Sequence, residues 1–139
     1  KARRLKQRHD LKLVIVDYMQ LMTSGKKVES RQLEVSEFSR QMKLLAKELS
    51  VPVVALSQLN RGPEQRTDKK PMLSDLRESG SLEQDADMVI LLHRADAYDK
   101  DSDRVGEADF IIAKHRNGPT ATIPTVFQGH YSRFVDMQR

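Results

Sequence analysis

Two short apolar runs, each closed by a polar residue, constrain this chain more than any other feature. The first is Leu13-Val-Ile-Val16, closed by Asp17; the second is Val53-Val-Ala-Leu56, closed by Ser57 and Gln58. Short runs rich in β-branched residues read as strands, and their unbroken apolar character predicts burial on both faces, as in a parallel sheet. Between them, Val35, Phe38, Met42, Leu45 and Leu49 recur at intervals of 3, 4, 3 and 4 residues. That spacing is one stripe along an α-helix. Ser30 can cap its start, and Val51-Pro52 stops it. Strand, helix and strand with short joints form a βαβ unit, so the two strands are expected to be parallel with a right-handed crossover. The expected class is α/β.

The rest of the chain reads as shorter pieces. Residues 23–27 form a polar loop around Gly25. Residues 59–71, with Gly62-Pro63 and Pro71, have the composition of a mobile loop. Ser74 to Arg77 starts a short helix, Gly80 breaks it, and Ser81-Leu-Glu-Gln84 restarts it with a capping-box pattern. Residues 88–92 read as a third buried strand, and residues 96–107 as an acidic surface loop. Residues 108–115 and 120–127 read as strands about an Asn117-Gly118-Pro119 turn, and Gly129-His130 turns the chain into residues 131–134. The last third is therefore expected to add antiparallel hairpins to the edge of a parallel core.

Charge narrows the function classes. The 139 residues carry 24 Lys+Arg and 20 Asp+Glu, a net charge of +4. Residues 1–12 hold six basic side chains and one acidic one, so the other 127 residues carry a net charge of −1. A basic glove over the whole surface is excluded, and any polyanion site must come from local placement of charge. The longest apolar run, residues 88–92, is far below the ~20 residues that a membrane span needs. The absence of Cys excludes disulfide scaffolds and Cys-based zinc sites. The four His residues show no metal-ligand spacing. The opening Lys1-Ala-Arg-Arg-Leu5 reads as the middle or end of a helix, so the chain is expected to be a piece of a longer protein.

A few positions carry chemistry. Asp17 follows a strand at its carboxyl end, where ligands bind in open α/β sheets; a carboxylate there can hold a magnesium ion through water, or can simply cap the next turn. Gln58 ends the second strand at the same edge. Its amide can sense a γ-phosphate or orient a water, or it can bond to nearby backbone. Residues 61–77 hold five basic and three acidic side chains and lead into Arg77, Glu78 and Gly80. Backbone amides near a glycine and at a helix start bind phosphate, which makes this stretch a candidate nucleic-acid contact or else a solvated loop. Lys114 and Arg116 alternate around His115, so both cations project to one side at a hairpin end. They suit delivery to a bound nucleotide, or form an exposed strand end.

Taken together these segments resemble one family. Leu13-Val-Ile-Val-Asp-Tyr-Met-Gln-Leu-Met22, Glu48-Leu-Ser-Val-Pro-Val-Val-Ala-Leu-Ser-Gln-Leu-Asn-Arg61, Ser74-Asp-Leu-Arg-Glu-Ser-Gly-Ser-Leu-Glu-Gln-Asp-Ala-Asp87 and Lys114-His-Arg-Asn-Gly-Pro119 are similar, in order and spacing, to successive motifs of the bacterial replicative helicases of the DnaB family. The resemblance runs from about residue 11 to residue 134.

The resemblance implies a RecA-like ATPase core that uses ATP and Mg²⁺ in a hexameric ring of identical subunits around single-stranded DNA. It implies the Walker B role for Asp17, with magnesium held through water, and nucleotide-to-DNA coupling for Gln58. It implies a DNA-gripping loop at Arg77, Glu78 and Gly80, and a trans-acting pair at Lys114 and Arg116, with Arg116 the arginine finger. Primase and a helicase loader are implied as partners, in the cytoplasm at the nucleoid and away from membranes. The family's P-loop, the strand that carries its catalytic carboxylate, and its N-terminal collar domain have no counterpart in residues 1–139. The chain is thus expected to be the C-terminal portion of the motor domain and to be inactive by itself. The alternatives are a non-catalytic DNA-binding or ring-interaction module on a RecA-like core, and a recombinase- or clock-type relative. The motifs at Arg77 and Lys114 disfavour the last.

Overall fold

The computed structural model describes residues 1–22 and 31–138, with side chains for all of these except residues 31 and 77–80. The polar loop expected at residues 23–27 and the Ser30 cap lie outside the described residues. The chain divides into two compact units: Lys1–Gln58 with Leu76–Ala86, and Leu59–Asp75 with Asp87–Arg139.

The first unit is built on the expected βαβ pattern. Strands β1 (Val14–Val16) and β2 (Val53–Ala55) pair in parallel, with Val14 opposite Val53 and Val16 opposite Ala55. The helix between them, α2 (Arg31–Leu49), buries Val35, Phe38 and Leu49 of the predicted stripe, with Met42 and Leu45 half-buried. Its core is completed by the fully buried Met19, by Met22, and by Leu82 from α4 (Gly80–Asp85). Ser39 of α2 donates to the Asp85 carboxylate at 2.7 Å, which pins the two helices. After Leu49 the chain enters the left-handed region at Ser50 (φ 50°), and Pro52 prevents the helix from resuming. An N-terminal helix, α1 (Ala2–His9), has no buried residue; it ends at a left-handed Asp10, and its Arg3 holds Glu48 through two hydrogen bonds of 2.7 and 3.0 Å.

In the second unit β3 (Met88–His93), β4 (Glu107–His115), β5 (Ala121–Gln128) and β6 (Arg133–Asp136) form an antiparallel meander in that order. Leu91 and His93 are buried on one face; Ile90, Phe110, Ile112, Ile123 and Phe134 share the other. Phe134 packs edge-on against Phe110 and at a tilt against Phe127, at 5.0 Å each.

Two expectations change. The apolar runs at residues 13–16, 53–56 and 88–92 are strands, but they are not buried on both faces: Ile15 is 62% exposed and Val54 46%, and Met88, Ile90 and Leu92 are also exposed. A strand's own sequence records that its side chains are apolar, not how many neighbours its sheet has. The antiparallel strands make a four-stranded sheet of their own, headed by β3, rather than an extension of β1–β2. The acidic surface loop expected at residues 96–107 is present, and hydrogen bonds close it: Asp96 accepts from Gly106 N–H and from Arg94, and Arg104 spans Glu107 and Asp109.

Met19 is the side chain with no exposed surface in the first unit's core. Truncation there leaves a cavity, so Met19→Ala should lower unfolding free energy by about 2–5 kcal/mol in urea titration. Leu44→Ala, on the exposed side of α2, should cost less than about 1 kcal/mol.

Candidate functional site

The parallel pair brings two predicted residues to one edge. Asp17 follows β1 and Gln58 lies just beyond β2, and both are exposed. Backbone bonds continue past the strands: Leu56 N–H donates to Val16 at 2.9 Å, and Met19 N–H donates to Leu56 at 3.0 Å. The chain leaves β1 through a cis Asp17–Tyr18 peptide into a 3-10 turn at Met19–Leu21. Within that turn, Gln20 reaches back across the edge. Its amide nitrogen donates to Ser57 Oγ at 2.9 Å and to the Gln58 carbonyl at 3.1 Å, while its oxygen accepts the Gln58 N–H at 3.2 Å. Sequence reasoning missed Gln20, because no periodicity links positions 20 and 58.

The backbone of Arg77, Glu78 and Gly80 belongs to a 3-10 segment, Leu73–Ser79, and to the first residue of α4. Their side chains lie outside the described residues. The segment before them, read from its composition as a mobile loop, is hydrogen-bonded onto itself. It contains α3 (Gly62–Gln65) and closes on Asp75, whose side chain is 4% exposed. The Asp75 carboxylate accepts from Arg66 Nη1 at 3.0 Å and Nη2 at 2.5 Å, and from Met72 N–H at 2.6 Å. Asp75 also returns its carbonyl to Asn60 N–H at 3.0 Å. A Cβ at Gly62 would lie 2.7 Å from Asp75 Oδ1 and 2.8 Å from Asn60 Oδ1, so only glycine lets the chain pass this closely. The Arg66 guanidinium holds the Asp75 carboxyl below the usual aspartate range, burial opposes it, and the Met72 N–H adds to the lowering.

Lys114 and Arg116 come together at the end of β4. The ladder with β3 carries a bulge there: Ile90 pairs with Ile112 but Val89 with Lys114, which leaves Ala113 as the extra residue. A bulge re-aims the side chains beyond it. Arg116 lies one residue past the strand, yet its N–H donates to Asp87 at 2.9 Å. Its guanidinium also pairs with the Asp87 carboxylate at 3.8 Å. In the turn that follows, a Cβ at Gly118 would lie 2.5 Å from the His115 ring, so the glycine gives the imidazole its place. Asp87 and His115 are further residues of this tip that sequence reasoning did not single out.

Asp17 and Gln58 thus form one constellation, in the first unit, and Lys114 with Arg116 another, in the second. Among the described residues no three His, Asp or Glu side chains cluster as a metal cage. The Asp17 carboxylate can hold a magnesium ion that keeps its waters and binds chiefly to phosphate.

A family model described as the DnaB-like helicase C terminal domain matches residues 1–136. The chain is 78% identical over 139 residues to a replicative DNA helicase DnaB of Mycobacterium intracellulare, all of this chain against 24% of that protein. It is 76% identical over 137 residues to the corresponding protein of Leifsonia xyli subsp. xyli, 99% of this chain against 30% of that one. The chain therefore spans between about a quarter and a third of the length of these curated relatives. A solved DnaB-like replicative helicase, described with its interactions with primase, superposes with a TM-score of 0.92 at 48% identity, over 98% of this chain and 33% of that one. A solved ATPase domain superposes with a TM-score of 0.93 at 47% identity, over 99% of this chain and 49% of that one. The α/β, RecA-like reading of the sequence agrees with these folds.

The Asp75 pair has a pH signature. Its carboxyl titrates lower in the folded chain than in the unfolded one, so it stabilises the fold above the ordinary aspartate value of about 3.9 and loses that contribution as pH falls through the folded-state value. Asp75→Asn should be less stable than the parent in urea at pH 7, and the gap should close at lower pH. A gap of unchanged size at pH 3 would show that the charge is not what Arg66 holds.

Proposed function

The chain belongs to the family of DnaB-like helicase C-terminal domains, and from that membership we propose that it is the C-terminal part of the ATPase motor of a replicative DNA helicase. The whole protein couples ATP hydrolysis to movement along single-stranded DNA and to unwinding of the duplex. The observation that carries this reading is the common edge of β1 and β2, where Asp17 and Gln58 stand at the ends of adjacent parallel strands. Ligands bind at that edge in open α/β sheets.

Each residue then has a task. Asp17 holds a magnesium ion through water, and Gln58 faces the terminal phosphate. The magnesium nucleotide, when bound, supplies the phosphoryl group and most of the counter-charge. Lys114 and Arg116 act on the nucleotide of a neighbouring subunit, which requires a heterologous, head-to-tail ring of identical chains, taken here as a hexamer. Support for Arg116 comes from its surroundings. Its backbone is held by Asp87, whereas the 3.8 Å ion pair joins side chains that are 48% and 62% exposed. Such a pair is worth at most about 1 kcal/mol. Arg77, Glu78 and Gly80 contact the DNA backbone. Primase and a loader are the protein partners, and the setting is the cytoplasm at the nucleoid; among the described residues no helix is long and apolar enough to cross a membrane.

In the full-length helicase, Arg116→Ala should reduce ATP turnover by about 10³-fold or more while nucleotide binding survives. Mixed rings test the trans role. If Arg116→Ala subunits leave the activity of wild-type partners in proportion to their number, the finger assignment fails and the non-catalytic module becomes the better reading. Arg77→Ala should weaken single-stranded DNA binding and reduce the slope of log affinity against log salt by about one, the signature of a lost phosphate contact.

A further inference from the structure

The Gln20 carboxamide behaves as an extra rung of the β1–β2 ladder. Past the last backbone bonds of the strand ends, it offers a carbonyl to the Gln58 N–H and an amide to the Gln58 carbonyl, as a neighbouring peptide group would. The orientation of this amide is determined, because a flipped carboxamide would set its NH₂ against the Gln58 N–H and its oxygen against the Gln58 carbonyl. Ser57 Oγ accepts from the same nitrogen and so closes the third contact. The base of the side chain is fixed as well: the preceding residue, Met19, is fully buried in the core and donates its N–H to Leu56. Gln20 is half-buried and spans positions 37 and 38 residues away in sequence.

We propose that Gln20 is a positioning residue for the hydrolysis site: it fixes the backbone from which the Gln58 side chain departs and ties the Asp17 strand end to the Gln58 strand end. A carboxamide that faces a phosphate from a free strand terminus would sample many directions. Three hydrogen bonds to residues 57 and 58 restrict the backbone from which it departs, which narrows those directions before substrate arrives rather than during the reaction. Because the same bonds join both strand ends, a displacement at either one is transmitted to the other. The inference rests on the reading of Gln58 as the residue that faces the nucleotide.

A mutant cycle in the full-length helicase tests it, with single-stranded-DNA-stimulated ATPase and nucleotide affinity measured for Gln20→Leu, Gln58→Ala and the double variant. Gln20→Leu should lower kcat by about tenfold or more, with KM and nucleotide affinity within about twofold of the parent. In the Gln58→Ala background it should add nothing. Gln20→Glu keeps the acceptor for the Gln58 N–H and loses the donor, so its kcat should fall between the parent and Gln20→Leu; if Gln20→Leu does not assemble, this variant carries the same cycle. A parental kcat for the Gln20 variants overturns the inference. So does an equal fall in both backgrounds, or a parallel loss of nucleotide affinity, either of which would mark general damage. A parental kcat for Gln58→Ala alone removes Gln58 from the reaction and the inference with it. That outcome is distinguishable, because the others leave the Gln58 reading standing.

Discussion

The parallel pairing of β1 with β2 is the constraint from which the rest of the first unit follows. Three residue pairs hold it, and two further backbone bonds, Leu56 to Val16 and Met19 to Leu56, extend it beyond the strands. A parallel pair cannot be joined by a tight turn, so a long crossover connection is obligatory, and α2 fills that role with its apolar stripe turned to Met19 and Met22. The pairing also fixes direction. Both strands end on the same side, so whatever chemistry the chain places after each run arrives at one edge.

The second unit carries Lys114 and Arg116 at the end of a long hairpin strand. β4 runs nine residues and pairs on both sides, with β3 and with β5, which makes it a stiff arm. The bulge at Ala113 and the bond from Arg116 N–H to Asp87 set the tip's direction without burying it.

Sequence patterns made the elements legible where one residue's neighbours lie within a turn or two. The spacing of Val35, Phe38, Met42, Leu45 and Leu49 is a property of a single helix, and the structure buries that stripe. The common edge of Asp17 and Gln58 was legible for the same reason, since it follows from two strands and their direction. What escaped was contact between residues with no shared period. Gln20 meets Gln58 across 38 positions, Arg66 meets Asp75 across nine, and nothing in the composition of residues 59–71, with its glycine and prolines, distinguishes a latched loop from a loose one. Burial of the strands was misjudged because the number of neighbours a sheet face has is a tertiary fact.

The Arg66–Asp75 closure has a thermodynamic consequence of its own. It ties residues nine apart, and the entropy lost in closing so short a loop is small, so little of what the ion pair contributes is offset by ordering the chain. Asp75 is at once partner to Arg66, to Met72 and to Asn60, so the three attachments are lost together once that residue moves. The segment from Asn60 to Asp75 is thus joined through one residue, the scale at which local stability is distributed in a folded chain.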